Sequence, residues 1–342
     1  GMMILVESLD LITFFIAIEI LSLALYALCG LYRREARSNE ASIKYFVMGA
    51  FASGFLLYGM AMLYGATGSL MIDEIGARLR SGESSAPGSL ATMGLVLMTI
   101  GLAFKVGAAP FHQWVPDVYE GAPTSVTAFM SVAVKAAGFG ALLRILLSAG
   151  GTQSQAWTGL VWGLAAVTMV MANFLAVGQR SVKRMLAYSS VAHTGYVLVG
   201  VASLGRSEAG TDAGAASIFY LFAYTFMTLG AFAFLVYAGK GGSDAETLED
   251  FSGLAKRRPW AALAMTVFMV SLAGLPPTAG FFGKFLLFKA AIAAGQVPLV
   301  VLGVATSAVS VYYYLRVVVH MYFKPAPEGQ GEAPEPLFNA GL

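Results

Sequence analysis

Five ionisable side chains stand where an apolar sequence should hold none: Glu19, Lys44, Lys105, Lys135 and Lys284. Glu19 shows the pattern, lying inside Phe14-Phe15-Ile16-Ala17-Ile18-Glu19-Ile20-Leu21. A lysine at the centre of a helix in hydrocarbon costs roughly 2.5–3.5 kcal/mol even on the lenient insertion scale. Desolvation also disfavours the ammonium, by up to about 3–5 pKa units when burial is complete. A lysine so placed can gain and lose a proton near neutral pH, which is the chemistry of a proton relay. The rival reading is a static ion pair. Glu19 is the one acid placed firmly inside an apolar run, so there are too few partners for Lys105, Lys135 and Lys284. Lys44 is close to the start of its run and has two readings, a member of this set or a side chain that snorkels to the surface. Arg144 and Lys289 lie near the ends of their runs and read as snorkelling, and His320 reads as interfacial. His112 either relays protons or caps freed carbonyls. His193, in Tyr188-Ser189-Ser190-Val191-Ala192-His193-Thr194-Gly195-Tyr196, serves a water wire or a hydrogen bond between helices.

The elements that must position these residues are membrane helices. The chain has 342 residues, 58% hydrophobic and 12% charged, with a mean hydropathy of +0.72. Soluble domains carry about 25% charged residues, so hydropathy excludes a soluble enzyme. Apolar runs of about 18–25 residues recur along the whole length, and in lipid only helices can satisfy such backbones internally. The expected fold is an all-α integral membrane protein of about nine spans. They run Leu11–Leu31, Ala41–Ala66, Leu90 to about Tyr119, Thr124–Leu147, Ala156–Val177, Met185–Leu204, Ala215–Ala238, Pro259 to about Ala294, and Pro298–Phe323.

Two spans are overlong and broken, one at Gly107 and Pro110, the other at Pro276 and Pro277 within Gly274-Leu275-Pro276-Pro277-Thr278-Ala279-Gly280. Proline removes a helix hydrogen bond and clashes with the preceding turn. The broken spans are the third and the eighth. That odd offset makes the two copies point opposite ways, as in inverted-repeat transporters. The first repeat covers about 1–148 and the second about 155–323, within a single transmembrane domain, with a polar tail at 324–342. Arg33, Arg34, Arg37, Arg180, Lys183, Arg184, Lys240, Lys256, Arg257, Arg258 and Lys324 fall on one side, and Arg78, Arg80 and Arg206 on the other. The basic side is expected to be cytoplasmic.

A formal net charge of +2 does not suggest nucleic acid as a partner. The single Cys29 permits no intramolecular disulfide and reads as a small buried hydrophobe. No GxGxxG after a strand, P-loop, HExxH or haem-suited histidine pair occurs. No cofactor or metal is therefore expected in this chain. The opening Gly1-Met2-Met3-Ile4-Leu5-Val6 reads as the tail of a helix that begins upstream, and the sequence as incomplete.

One stretch is unusually specific. Phe104-Lys105 through Phe111-His112-Gln113-Trp114-Val115-Pro116-Asp117-Val118-Tyr119-Glu120-Gly121-Ala122-Pro123-Thr124, and on to Lys135, resembles the antiporter-like membrane subunits of respiratory complex I, proton-translocating NADH-quinone oxidoreductase. Glu19-Ile20-Leu21-Ser22-Leu23-Ala24-Leu25-Tyr26, Ser42-Ile43-Lys44-Tyr45-Phe46 and Gly274 through Phe285 agree, so the resemblance covers essentially the whole chain. It implies two inverted repeats with broken helices, early and final helices that this chain lacks, and residence in a bacterial inner membrane. It implies that Glu19 and Lys44 form the coupling pair, that Lys105 and Lys135 are the central lysines, and that Lys284 lies on the exit route. It implies further antiporter-like subunits and lipid as partners, with NADH, FMN, iron–sulfur clusters and quinone in other subunits of the enzyme. The expected function is proton translocation coupled to quinone reduction elsewhere. The alternatives are a subunit of a multisubunit cation/proton antiporter and a non-transporting membrane scaffold.

Overall fold

The computed structural model describes residues 1–83, 88–150, 154–205, 210–239 and 245–326. Among the described residues the chain is helical, with no strand beyond isolated bridges at Asp10–Met71 and Ser181–Thr247. The helices are α1 (Met2–Glu7), α2 (Leu11–Cys29), α3 (Ala36–Thr67), α4 (Ile72–Ser81), α5 (Gly88–Val106), α6 (Trp114–Gly121), α7 (Thr124–Phe129) and α8 (Lys135–Arg144). They continue as α9 (Ser154–Val177), α10 (Val182–Leu204), α11 (Gly210–Ala238), α12 (Leu254–Arg257), α13 (Pro259–Ala273), α14 (Ala279–Ala293) and α15 (Val297–Phe323). Eight described helical stretches are long and apolar enough to cross a membrane, and the shorter α13 continues past its break as α14. That matches the expected nine spans and two breaks. Arg206, Lys240, Asp244 and residues 327–342 lie outside the described residues.

Lipid-facing surfaces are apolar, as on α2 at Ile12, Ile16, Ile20 and Leu23, because a bilayer imposes no penalty on exposed hydrocarbon. The polar interior gathers around α10, which is almost entirely buried and packs against α9, α11, α14, α15 and α6. That position suits polar groups such as Thr194, whose hydroxyl donates to Val106 O, and His193, which reaches Tyr220 and Tyr314 on two other helices. Cys29 is fully buried, with its thiol 3.5 Å from Met130 Sδ.

Two features differ from the sequence reading. Helix α3 begins at Ala36 rather than Ala41, so the charged approach is itself helical and Lys44 lies about 12 Å inside it. Residues 72–81 form an amphipathic helix outside the spans, with Asp73 and Glu74 in its first turn and Arg78 and Arg80 in its last. That order opposes the helix dipole at both ends.

The loops sort to two ends. At the basic end Arg37 reaches Glu246 (3.9 Å), and Gly253 N–H donates to His320 O (3.2 Å). At the other end Leu11 N–H donates to Leu70 O (3.0 Å), and Arg78 to Thr67 O (2.6 Å). There Asp10 caps α2 by accepting from Thr13 N–H at 2.8 Å, which holds its carboxyl below the usual range.

Candidate functional site

Lys105, Lys135 and Lys284 are 3–5% exposed, and among the described residues none of them pairs with a carboxylate. The static ion pair is therefore not what holds them. Lys105, next to last in α5 and just before the first break, donates to Ser22 Oγ (2.9 Å) and Tyr45 Oη (3.4 Å). Lys135 donates to Ser190 O (2.6 Å) and Thr194 Oγ1 (3.0 Å), both on α10. A π-helical turn, Met130–Val134, immediately precedes it. Such turns recur at functional sites and change which way the following side chains face. Lys284, one turn into α14, donates to Leu272 O (3.3 Å), Ala273 O (2.9 Å) and Ser307 Oγ (2.8 Å).

The breaks explain how ammonium groups fit there. Gly107 has φ +74° and Gly274 φ +81°, a region costly for any other residue. A Cβ on Gly107 would meet Val115 Cγ2 at 2.9 Å and approach Lys135 Nζ at 4.0 Å; one on Gly274 would meet Lys284 Nζ at 3.0 Å. Each glycine leaves room for a lysine head beside the interrupted backbone. Cis peptide bonds precede Pro110 and Pro277. Carbonyls freed at the first break are met by Trp114 Nε1, which donates to Phe104 O (3.0 Å), and by Thr194 Oγ1, which donates to Val106 O (2.9 Å). Trp114 also stacks on Tyr45, with ring centroids 4.4 Å apart.

Glu19 and Lys44, expected to couple electrostatically without a claim of contact, lie at different depths. Glu19 accepts from Ser53 Oγ at 2.5 Å. Ser53, Ser22 and Lys105 line one cavity of about 20 Å³, room for roughly one water. Ser22 lies one turn from Glu19 on α2. The carboxylate thus faces Lys105 through hydroxyls. Lys44 pairs instead with Asp117 (2.8 Å) and Glu40 (2.6 Å), with 40% of its side chain exposed. Depth decides this: Lys44 is too near the end of α3 to reach the level of Glu19.

The histidines divide. His193 joins three helices, with Nδ1 2.6 Å from Tyr220 Oη and Nε2 3.1 Å from Tyr314 Oη. Tyr314 Oη is in turn bonded to Ser189 Oγ. His193 therefore does bond between helices. His112 is 5% exposed and its Nδ1 has no partner. Arg144 donates to Val6 O at 3.0 Å, and Lys289 is exposed beside a cavity of about 590 Å³ between α14 and α15.

Sequence reasoning missed a charged network at the basic end. Arg184 binds Asp117 (2.9 Å) and Glu120 (2.6 Å), and with Arg37, Glu40 and Lys44 these line a cavity of about 210 Å³. Lys183, counted among loop charges, is buried and donates to Ala122 O (2.9 Å) and Glu246 Oε1 (3.2 Å). Asp117 and Glu120, three residues apart on one face of α6, were the available signal.

A helical membrane protein with two interrupted spans, each leaving room for a buried ammonium, is of the antiporter-like class. The family model described as "NADH:quinone oxidoreductase/Mrp antiporter, TM" matches residues 8–310, and the chain belongs to that family. It is 53% identical over 329 residues to NADH-quinone oxidoreductase subunit N of Trichlorobacter lovleyi, covering 96% of this chain and 66% of that protein. Respiratory complex I from Thermus thermophilus with bound aureothin contains a chain of similar fold, with a TM-score of 0.80 and 40% identity, covering 96% of this chain and 69% of that one. The Mrp complex from Dietzia contains another, with a TM-score of 0.82 and 28% identity, covering 97% of this chain and 61% of that one. The chain thus spans about two thirds of the length of its curated relatives.

Proposed function

We propose that this chain is the core of a subunit N-type, proton-translocating membrane subunit of NADH:quinone oxidoreductase. One observation carries the reading: three buried lysines, none paired with a carboxylate among the described residues, stand along one polar interior, and the first faces Glu19 through Ser22 and Ser53. A change of charge at Glu19 alters the potential at Lys105. Lys135 follows, held by Ser190 and Thr194 beside the first break, and then Lys284 on the exit route, with His193 between helices in the same interior. His112, at the first break, is free to take part through Nδ1. Lys44 belongs to the basic end and acts there rather than as the partner of Glu19.

In this reading the chain works as part of a translocase and carries no redox or hydrolytic centre of its own. NADH, FMN, iron–sulfur clusters and quinone belong to other subunits, and further antiporter-like membrane subunits and lipid are its neighbours. The basic end faces the cytoplasm of a bacterium, across its inner membrane. The two broken spans belong to two inverted repeats, about 1–148 and about 155–323. Lys105→Ala in the assembled complex reduces protons pumped per NADH oxidised; unchanged pumping would overturn the reading. A second reading, a cation/proton antiporter subunit, is favoured by the likeness to the Mrp chain. It predicts cation-dependent exchange without NADH or quinone.

A further inference from the structure

The lysine of the second break rests on an aromatic ring. Lys284 Nζ lies over the face of Tyr196, 4.8 Å from the ring centroid. An ammonium within about 6 Å of a ring centroid is attracted by the negative face of the π-system, most strongly where water is excluded. Lys284 is 5% exposed and Tyr196 1%. The N–H groups of the ammonium are already met by Leu272 O, Ala273 O and Ser307 Oγ. The ring therefore adds a favourable field without needing a donor. Lys105 is held otherwise: its Nζ stands 5.5 Å from the Tyr45 centroid but 3.4 Å from that residue's hydroxyl, to which it donates.

Close helix packing places that ring. Gly195 precedes Tyr196 on α10, and a Cβ on it would meet Met169 N of α9 at 2.9 Å. A small residue here lets the two helices approach. Asn173, one turn beyond Met169 on α9, is fully buried. Its Nδ2 donates to Met169 O (2.7 Å) and Tyr196 Oη (3.3 Å), and its Oδ1 accepts from Tyr313 Oη (3.0 Å). The rings of His193 and of Phe288 on α14 stand nearly perpendicular to Tyr196, with centroids 5.7 Å and 6.3 Å away. Helices α9, α10 and α14 together set the plane of the ring against the lysine.

We propose that, on the translocation reading above, Tyr196 is a positioning residue for Lys284: its ring face stabilises the ammonium at the second break. A carboxylate there would also attract the ammonium, but it is itself a base that competes for the proton. An aromatic face offers no such lone pair. It favours the charged lysine and takes no proton from it. The neutral amine gains little from the ring, because the attraction is to the charge. The effect therefore depends on the electron density of the ring and not on the phenol hydroxyl.

The test uses the complete complex in sealed vesicles and reads protons pumped per electron, with uncoupled NADH oxidation as the measure of assembly. Tyr196→Phe keeps the ring and its packing, and Asn173 keeps its bond to Met169 O, so pumping stays near that of the wild type. Tyr196→Leu removes the ring and lowers pumping per electron several-fold, with uncoupled oxidation retained. Mono-, di- and trifluorinated phenylalanines, placed at this position by suppression of a stop codon, draw electron density from the ring face at nearly constant shape. Pumping falls stepwise along that series, whereas a role in packing alone predicts a flat one. A flat series, or a Tyr196→Phe variant as impaired as Tyr196→Leu, overturns the proposal. If Tyr196→Leu does not assemble, the fluorinated series decides alone. Lys284→Met separates the two levels. If it pumps normally, the translocation reading fails at this lysine; if it stops pumping while the fluorinated series is flat, only the role of Tyr196 fails.

Discussion

The two broken spans hold the same residue type against different sources of negative potential. At the first break Lys105 sits on side-chain oxygens and faces the Glu19 carboxyl through hydroxyls. The carbonyls freed there are met by Trp114 and Thr194, so the backbone does not depend on the lysine. At the second break Lys284 itself receives the carbonyls of Leu272 and Ala273, the last two residues of α13. A helix C-terminus is a fixed site of partial negative charge, and no nearby protonation event removes it. One lysine faces a side-chain carboxyl, the other the end of a helix. Under the proposed translocation, the first end of the axis receives the signal and the second holds a cation in a constant field.

The sharpest way to break this contrast is Glu19→Gln. It keeps the hydrogen bond to Ser53 and removes the charge, so pumping per electron should fall as far as in Lys105→Ala. Normal pumping measured in sealed vesicles would make the two breaks equivalent. Next is Lys284→Met, which strands two buried carbonyls and should lower stability by about 1–3 kcal/mol, read from thermal unfolding of the purified complex. Trp114→Phe removes a single donor from Phe104 O while retaining the ring near Tyr45. Its expected cost is about 1 kcal/mol, with pumping largely retained; a loss as large as that of Lys284→Met would show that the first break also rests on one side chain. Lys44→Gln should have the smallest effect, because half-exposed ion pairs contribute about 0–1 kcal/mol. A pumping defect equal to that of Lys105→Ala would restore Lys44 as the partner of Glu19.

Much of this was legible in the sequence. Hydropathy and the positions of Gly107, Pro110, Pro276 and Pro277 located the spans and both breaks, because lipid leaves the backbone so few choices. Lys105, Lys135 and Lys284 were visible as charges in apolar runs, and the loop charges sorted the termini of the helices to two ends. The partners were not legible. Nothing in the sequence sets Ser22, Ser53, Ser190, Thr194 and Ser307 apart, because a hydroxyl facing a lysine looks the same in sequence as one facing a neighbouring helix.

The sequence by itself determined where charge enters the membrane and where helices must stop, since both follow from local composition and from what glycine and proline do to a backbone. Only the tertiary structure decided who meets whom. Glu19 and Lys44 are neighbours in order of helices yet differ in depth, and Lys105, far along the chain, reaches the level of Glu19 instead. Position along each span gave the depths in outline; which group each side chain faces comes from how helices cross and break, and no single helix carries that information.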